Sequence, residues 1–155
     1  MTQPVESQGT RHCLTLEVEV SPPLDLGPTP VGTRRCIPLA GGRFWGDLEG
    51  RIVPGGADWQ TVLPDGNIEL SAHYALETRA GELIEVTSVG VRNGAPEVLA
   101  RLARGEPVPR EAYYFRTHMR LYSAAPALSH LNLRLYAGRG ERQKGLVRIT
   151  VFELQ

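Results

Sequence analysis

The chain has 155 residues, 17 basic and 17 acidic side chains, and a hydrophobic content of 41%. That length suits one domain burying roughly two thirds of its unfolded surface. Balanced charge excludes the broad positive field that holds nucleic acid or an anionic membrane, so neither is an expected partner. No apolar run approaches the roughly 20 residues of a membrane-spanning helix, and positions 1–9 lack the basic start and apolar core of a secretory signal. A cytoplasmic protein is expected.

Positions 1–12 read as a flexible N-terminal tail and 13–155 as a single domain. Leu14, Leu16, Val18 and Val20 alternate with polar residues in a first half-buried strand that Pro22 and Pro23 close. The stretch 21–33, rich in proline and glycine, reads as a surface loop. Phe44, Gly46, Leu48, Gly50 and Ile52 share one side of the next strand, whose glycines predict strong bending. Two apolar-alternating runs between Trp59 and Leu76 flank Pro64-Asp65-Gly66, a turn in which proline presets φ and glycine accepts φ > 0. A second hairpin turns at Arg79-Ala80-Gly81.

Glu97–Arg104 reads as the one short helix, with Pro96 in its first turn, Val98, Leu99 and Leu102 on one face and Gly105 at its end. Strands resume at 113–122, 131–137 and 146–154. Turns every 8–12 residues predict an all-β sandwich or barrel with antiparallel strands. Cys13 and Cys36 are too few and too far apart for a metal cluster or a disulfide framework and read as reduced, buried thiols.

On strand 113–122 the even positions Tyr114, Arg116, His118, Arg120 and Tyr122 form a polar face. Either it is a solvated exterior or it lines a water-accessible lumen. Asp58, Trp59 and Gln60 follow Gly55-Gly56, a sharp turn that aims them at the mouth or interior. Trp59 is then a pocket wall or ordinary core, while Asp58 and Gln60 position a ligand or cap backbone groups. His73, His118 and His130 lack metal-ligand spacing, so no metal is expected, and no cofactor fingerprint occurs. An imidazole titrating near pH 6.5 can instead serve as a general base, with His118 the first choice and His73 the second.

Arg51 to Gln60, Pro64-Asp65-Gly66 and Tyr113-Tyr114-Phe115-Arg116-Thr117 together carry a resemblance to domain-of-unknown-function family 3237, the uncharacterised protein family 0311, over about Gly41 to Leu154. The resemblance implies a closed or nearly closed antiparallel β-barrel and makes Arg116 a lumen residue. The chain departs from the family pattern at Ser71 and His73, where aspartate and arginine are usual, at Tyr122, at His130 and at Ser88, usually asparagine. A retuned pocket follows.

The reading is a cofactor-independent isomerase, cyclase or lyase of secondary metabolism, acting in the lumen on an apolar or aromatic organic acid or a polyketide-like molecule. Arg116 would stabilise an oxyanion and His118 or His73 would move a proton. Tyr122, His130 and Asn132 would contact the ligand, together with Asp58, Trp59 and Gln60. The alternative is a noncatalytic carrier barrel. Self-association into a homo-oligomer stays open.

Overall fold

The computed structural model describes Thr2 and residues 7–155. Its strands are β1 (Thr10–Val20), β2 (Leu24–Thr29), β3 (Gly32–Gly46), β4 (Gly50–Val62), β5 (Ile68–Thr78), β6 (Leu83–Gly94), β7 (Tyr113–Tyr122), β8 (Tyr136–Gln143) and β9 (Leu146–Leu154). Pairing is antiparallel and runs in chain order from β3 to β9, while β1 bonds to both β9 and β3. Eight strands therefore close a barrel, as expected, and the ring has no free edge. β2 lies outside the ring, paired to the first part of β3.

Two-residue periodicity decides which side chains enter. Tyr113, Phe115, Thr117, Met119 and Leu121 of β7 are 1–7% exposed and point inward, whereas Tyr114, Arg116, His118, Arg120 and Tyr122 lie on the outer face. One half of the interior is filled by Leu16, Phe44, Ile52, Leu76, Val86 and Met119, all within 2% of complete burial. Burying each such side chain stabilises the fold by about 1.5–3 kcal/mol. A 3-10 helix, Pro126–Leu133, closes that end with Leu128 and Leu131.

The opposite end is covered by helix α1 (Pro96–Ala103), whose buried residues are Leu99 and Leu102. Leu99 lies against Gly66 in the β4–β5 turn, and Gly105, just past the helix, lies against Lys144 in the β8–β9 turn. α1 thus reaches across this rim. No helix among the described residues is long and apolar enough to cross a membrane.

Bulges bend the strands beside the site. The β4–β5 register shifts between Val53 and Ala57, where Gly55 takes φ 109°. The Gly55-Gly56 pair is therefore a bulge within β4 rather than a turn. It keeps Asp58 and Gln60 in the same inward phase as Ile52 while bending the strand around Tyr74.

Local expectations need four corrections. The 21–33 loop contains β2, which forms a hairpin with β3. The strand expected to run from Phe44 through Ile52 breaks at 47–49 into β3 and β4, because Gly46, at φ 133°, permits a reversal there. The strand placed at 131–137 starts only at Tyr136, the proline at 126 having begun a 3-10 helix instead. Thr10, Arg11 and His12, expected in the tail, belong to β1 and pair with β9; positions 1 and 3–6 of that tail lie outside the described residues. α1 matches its expected span within one residue at each end.

Candidate functional site

Between the packed half and α1 the lumen keeps a cavity of about 50 Å³. This is room for a few water molecules. Its walls differ in chemistry. Val18, Val20, Ile37, Leu39, Val147 and Ile149 form an apolar side from β1, β3 and β9. Asp58, Gln60, Tyr74, Ser88, Arg92, Thr117 and Arg142 form a polar side from β4 to β8.

Asp58 is the acidic member. Its Oδ2 accepts a 2.7 Å hydrogen bond from Gln60 Nε2, while Oδ1 is buried without a hydrogen-bond partner among the described residues. Burial raises the Asp58 pKa above the ordinary carboxylate range, although the Gln60 donor, nearby Arg92, the Ser71 backbone amide and Arg35 pull the other way. Gln60 relays the contact outward, because its Oε1 accepts a 2.8 Å bond from Arg35 Nε.

Arg92 is the cavity's deepest cation. It is 6% exposed, its Nε has no hydrogen-bond partner among the described residues, and its guanidinium sits 5.8 Å from the Phe115 ring centre. Burial lowers its pKa to about 10, helped by the like charges of Arg142 and Arg35. Arg142 and Arg35 are themselves held below the usual arginine value by burial first, and Arg35 further by Arg142. None of the three forms an ion pair within 4 Å among the described residues. Thr117 Oγ1 is also buried without a partner among the described residues, and burial raises the pKa of the Tyr74 hydroxyl. The cavity therefore holds a base, cationic donors and hydroxyls at low water content, the ingredients for moving a proton beside a developing oxyanion.

Two of the residues singled out from sequence, Asp58 and Gln60, line this cavity. Trp59, one residue away in the strand, points outward and is 45% exposed. Arg116 also lies outside, stacked 5.0 Å from the Tyr114 ring centre with its Nη1 donating to the Phe115 carbonyl. The lumen placement of Arg116, His118 and Tyr122 is thus corrected, because the odd residues of β7 carry the apolar bulk and take the interior. Tyr122 lies under Arg120 at 4.9 Å.

His73 is exterior and forms a 2.6 Å contact with Glu85. His130 borders a separate cavity at the end closed by the 3-10 helix. Asn132 is structural: its Oδ1 accepts from the Ser123 amide and its Nδ2 donates to the Ser123 carbonyl. Of the departures from the family pattern, Ser88 alone enters the central cavity.

Sequence reasoning missed Arg35, Arg92 and Arg142. A usable signal exists: each occupies the apolar phase of its strand. Arg92 follows Ile84 and Val86 at even positions, Arg35 precedes Ile37 and Leu39, and Arg142 follows Tyr136, Gly138 and Gly140. A charge placed in phase with core residues must be buried or lie at the rim.

The family model described as protein of unknown function (DUF3237) matches residues 9–154. A UPF0311 protein of Rhodopseudomonas palustris is 36% identical over 146 residues, covering 94% of this chain and 95% of its own. The crystal structure of the conserved protein of unknown function RPA1785 from that species superposes with a TM-score of 0.93 at 35% identity, over 98% of this chain and 100% of the other. A β-barrel-like protein of Acinetobacter baumannii gives 0.85 at 33% identity, over 99% and 100%. An enzyme from Penicillium herquei gives 0.75 over the whole of both chains, but at 15% identity it shares the fold alone. Barrel topology and matched length agree across these comparisons, and the chain belongs to the DUF3237 family.

Proposed function

We propose that the barrel lumen is the active site of a cofactor-free enzyme that moves a proton on the carbon skeleton of a small organic acid. The observation that carries this reading is Asp58 Oδ1, a buried carboxylate oxygen without a hydrogen-bond partner among the described residues, in a cavity that it shares with the buried cation Arg92. Carboxylates with a raised pKa are effective general bases near neutrality.

In the reaction, Asp58 takes a proton from carbon next to a carbonyl, and the electron pair of the broken C–H bond moves onto the carbonyl oxygen. Arg92 and Arg142 stabilise the resulting enolate, aided by Thr117 or Ser88 as hydroxyl donors. Asp58 then returns the proton to the same or a neighbouring carbon, giving exchange or isomerisation. Gln60 is a positioning residue: it binds Asp58 Oδ2 and leaves Oδ1 free for the substrate.

The cavity volume narrows the substrate. At about 50 Å³ it suits a short-chain acid, and an aromatic or polyketide-like molecule requires α1 or the rim arginines to move aside. The fold accommodates catalysis in the Penicillium herquei enzyme, without transmitting its reaction to this chain.

A noncatalytic carrier is the second reading, favoured by α1, which covers the rim as a retaining lid would. Short-chain oxo acids that raise the melting temperature can be incubated with the protein in D2O and followed by proton NMR. Deuterium entering the carbon next to the carbonyl in the wild type, but not in Asp58→Asn, supports the enzyme. Binding with no exchange above the rate in protein-free buffer leaves the carrier and overturns the enzyme.

A further inference from the structure

Charge balance in the lumen specifies the substrate further. Arg35, Arg92 and Arg142 act electrostatically on one another at the α1 end of the barrel, and Asp58 is the carboxylate among them. Asp25 also acts on Arg35, but from the exposed strand β2 outside the ring. Of the nearby carboxylates, Glu141 pairs with Arg110, and Glu17, on the outward face of β1, is held between Arg43 and Arg148.

Arg92 and Arg142 line the cavity beside the one carboxylate of Asp58. Arg35 adds a third guanidinium from behind Gln60, with Asp25 partly offsetting it, so positive charge exceeds negative charge there. Such an excess is costly in a water-poor cavity, and the chain as a whole is electrically neutral, so the imbalance is local. The two cations of the cavity wall also come from separate elements. Arg92 projects from β6 with its Nε unpartnered among the described residues, and Arg142 projects from β8, its backbone amide donating to Tyr113 Oη at 2.9 Å. Separate cations satisfy two anionic groups better than one.

Building on the lumen reading above, we propose that the substrate is a compact dianion carrying two carboxylates. One acidic group is held by Arg92 and the other by Arg142, with Arg35 contributing long-range attraction from behind Gln60. The carbon atoms joining them lie against the apolar wall of β1, β3 and β9. A planar guanidinium offers paired donors to each carboxylate, and this geometry discriminates a diacid from the corresponding monoacid.

The test uses matched probes: propionate against malonate, butyrate against succinate, and benzoate against phthalate, titrated calorimetrically into the full-length protein at low ionic strength. In at least one pair the diacid is expected to bind ten-fold or more tightly than the monoacid. Arg92→Met and Arg142→Met should each erase most of that preference, with circular dichroism and melting temperature establishing that the variants are folded. Should one variant fail to fold, the other carries the comparison. Arg116→Ala, on the outer surface, should retain the full preference. If monoacid and diacid bind equally, and Arg92→Met weakens both alike, the dianion inference is overturned while the lumen site stands. If none of the six probes binds, or binding survives both lumen substitutions, the lumen reading falls and the inference falls with it.

Discussion

Asp58 of β4 and Arg92 of β6 enter one cavity, and each presents a buried polar atom, Oδ1 and Nε respectively, with no hydrogen-bond partner among the described residues. Buried polar atoms are nearly always paired. Two opposite unmet needs in one cavity are what a polar ligand would meet. Asp58→Asn keeps shape and polarity but removes the base, so turnover should fall by about 10²–10⁴-fold while binding persists. Steady-state kinetics on the substrate found by exchange measures this.

The same substitution should change the pH dependence of stability. The folded pKa of Asp58 lies above its unfolded value, so the folded state binds more protons over the interval between them. Stability contributed by this group therefore falls as pH rises through that interval, and the full penalty applies above the folded pKa. Asp58→Asn should melt higher than the wild type at neutral pH, and the gap should close as pH drops below the ordinary carboxylate value. Melting curves recorded from about pH 3 to 8 check the sign.

Glu17 gives the opposite sign. Its side chain, on the outward face of β1 but only 8% exposed, bridges Arg148 and Arg43, each at 2.7 Å, and these bonds hold its pKa below the usual value, Arg148 contributing most. Its contribution is present above the ordinary carboxylate pKa and is lost as pH falls through the depressed one. Glu17→Gln should cost about 1 kcal/mol at pH 7, and urea titrations at pH 7 and pH 3 should show the cost shrinking.

Gly140 is required by packing. A Cβ there would come within 2.6 Å of the Phe115 ring atoms. Gly140→Ala should destabilise the barrel by about 1–3 kcal/mol and, by displacing a cavity-wall ring, weaken ligand binding as well. Urea unfolding and calorimetry separate the two effects.

Arg116→Ala should change stability by less than about 1 kcal/mol, the scale of an exposed cation–π contact with Tyr114, and should leave turnover unchanged. A large loss of turnover would return this residue to the site.

Strand phase explains what the sequence could convey. Alternation of apolar and polar residues in β1, β5, β7 and β9, together with Pro64-Asp65-Gly66 and Arg79-Ala80-Gly81, marks strands and turns through local chemistry alone. On β7, however, alternation says only that one face is apolar, and the motif resemblance drew the arginine face inward. Phe115, Met119 and Leu121 settle the matter by volume, since closing the ring leaves room for one face only. Asp58 and Gln60 were legible because they follow the bulge, whereas Arg92 and Arg142 required reading polar residues as exceptions within an apolar phase. Their convergence depends on β6 and β8 flanking β7, a relationship between strands that no local pattern carries.

The double pairing of β1 has a kinetic consequence. Most neighbouring strands in the ring are consecutive hairpin partners, but the β1–β9 ladder joins Thr10 to Leu154 and Glu19 to Leu146, positions almost a whole chain apart. Such long-range contacts incur loop-closure entropy before they stabilise, so the seam at β1 forms late. Until it joins, the two strands expose unsatisfied edges on a nearly complete sheet. Refolding yield should therefore fall with protein concentration, through intermolecular strand capture competing with zippering of this final ladder.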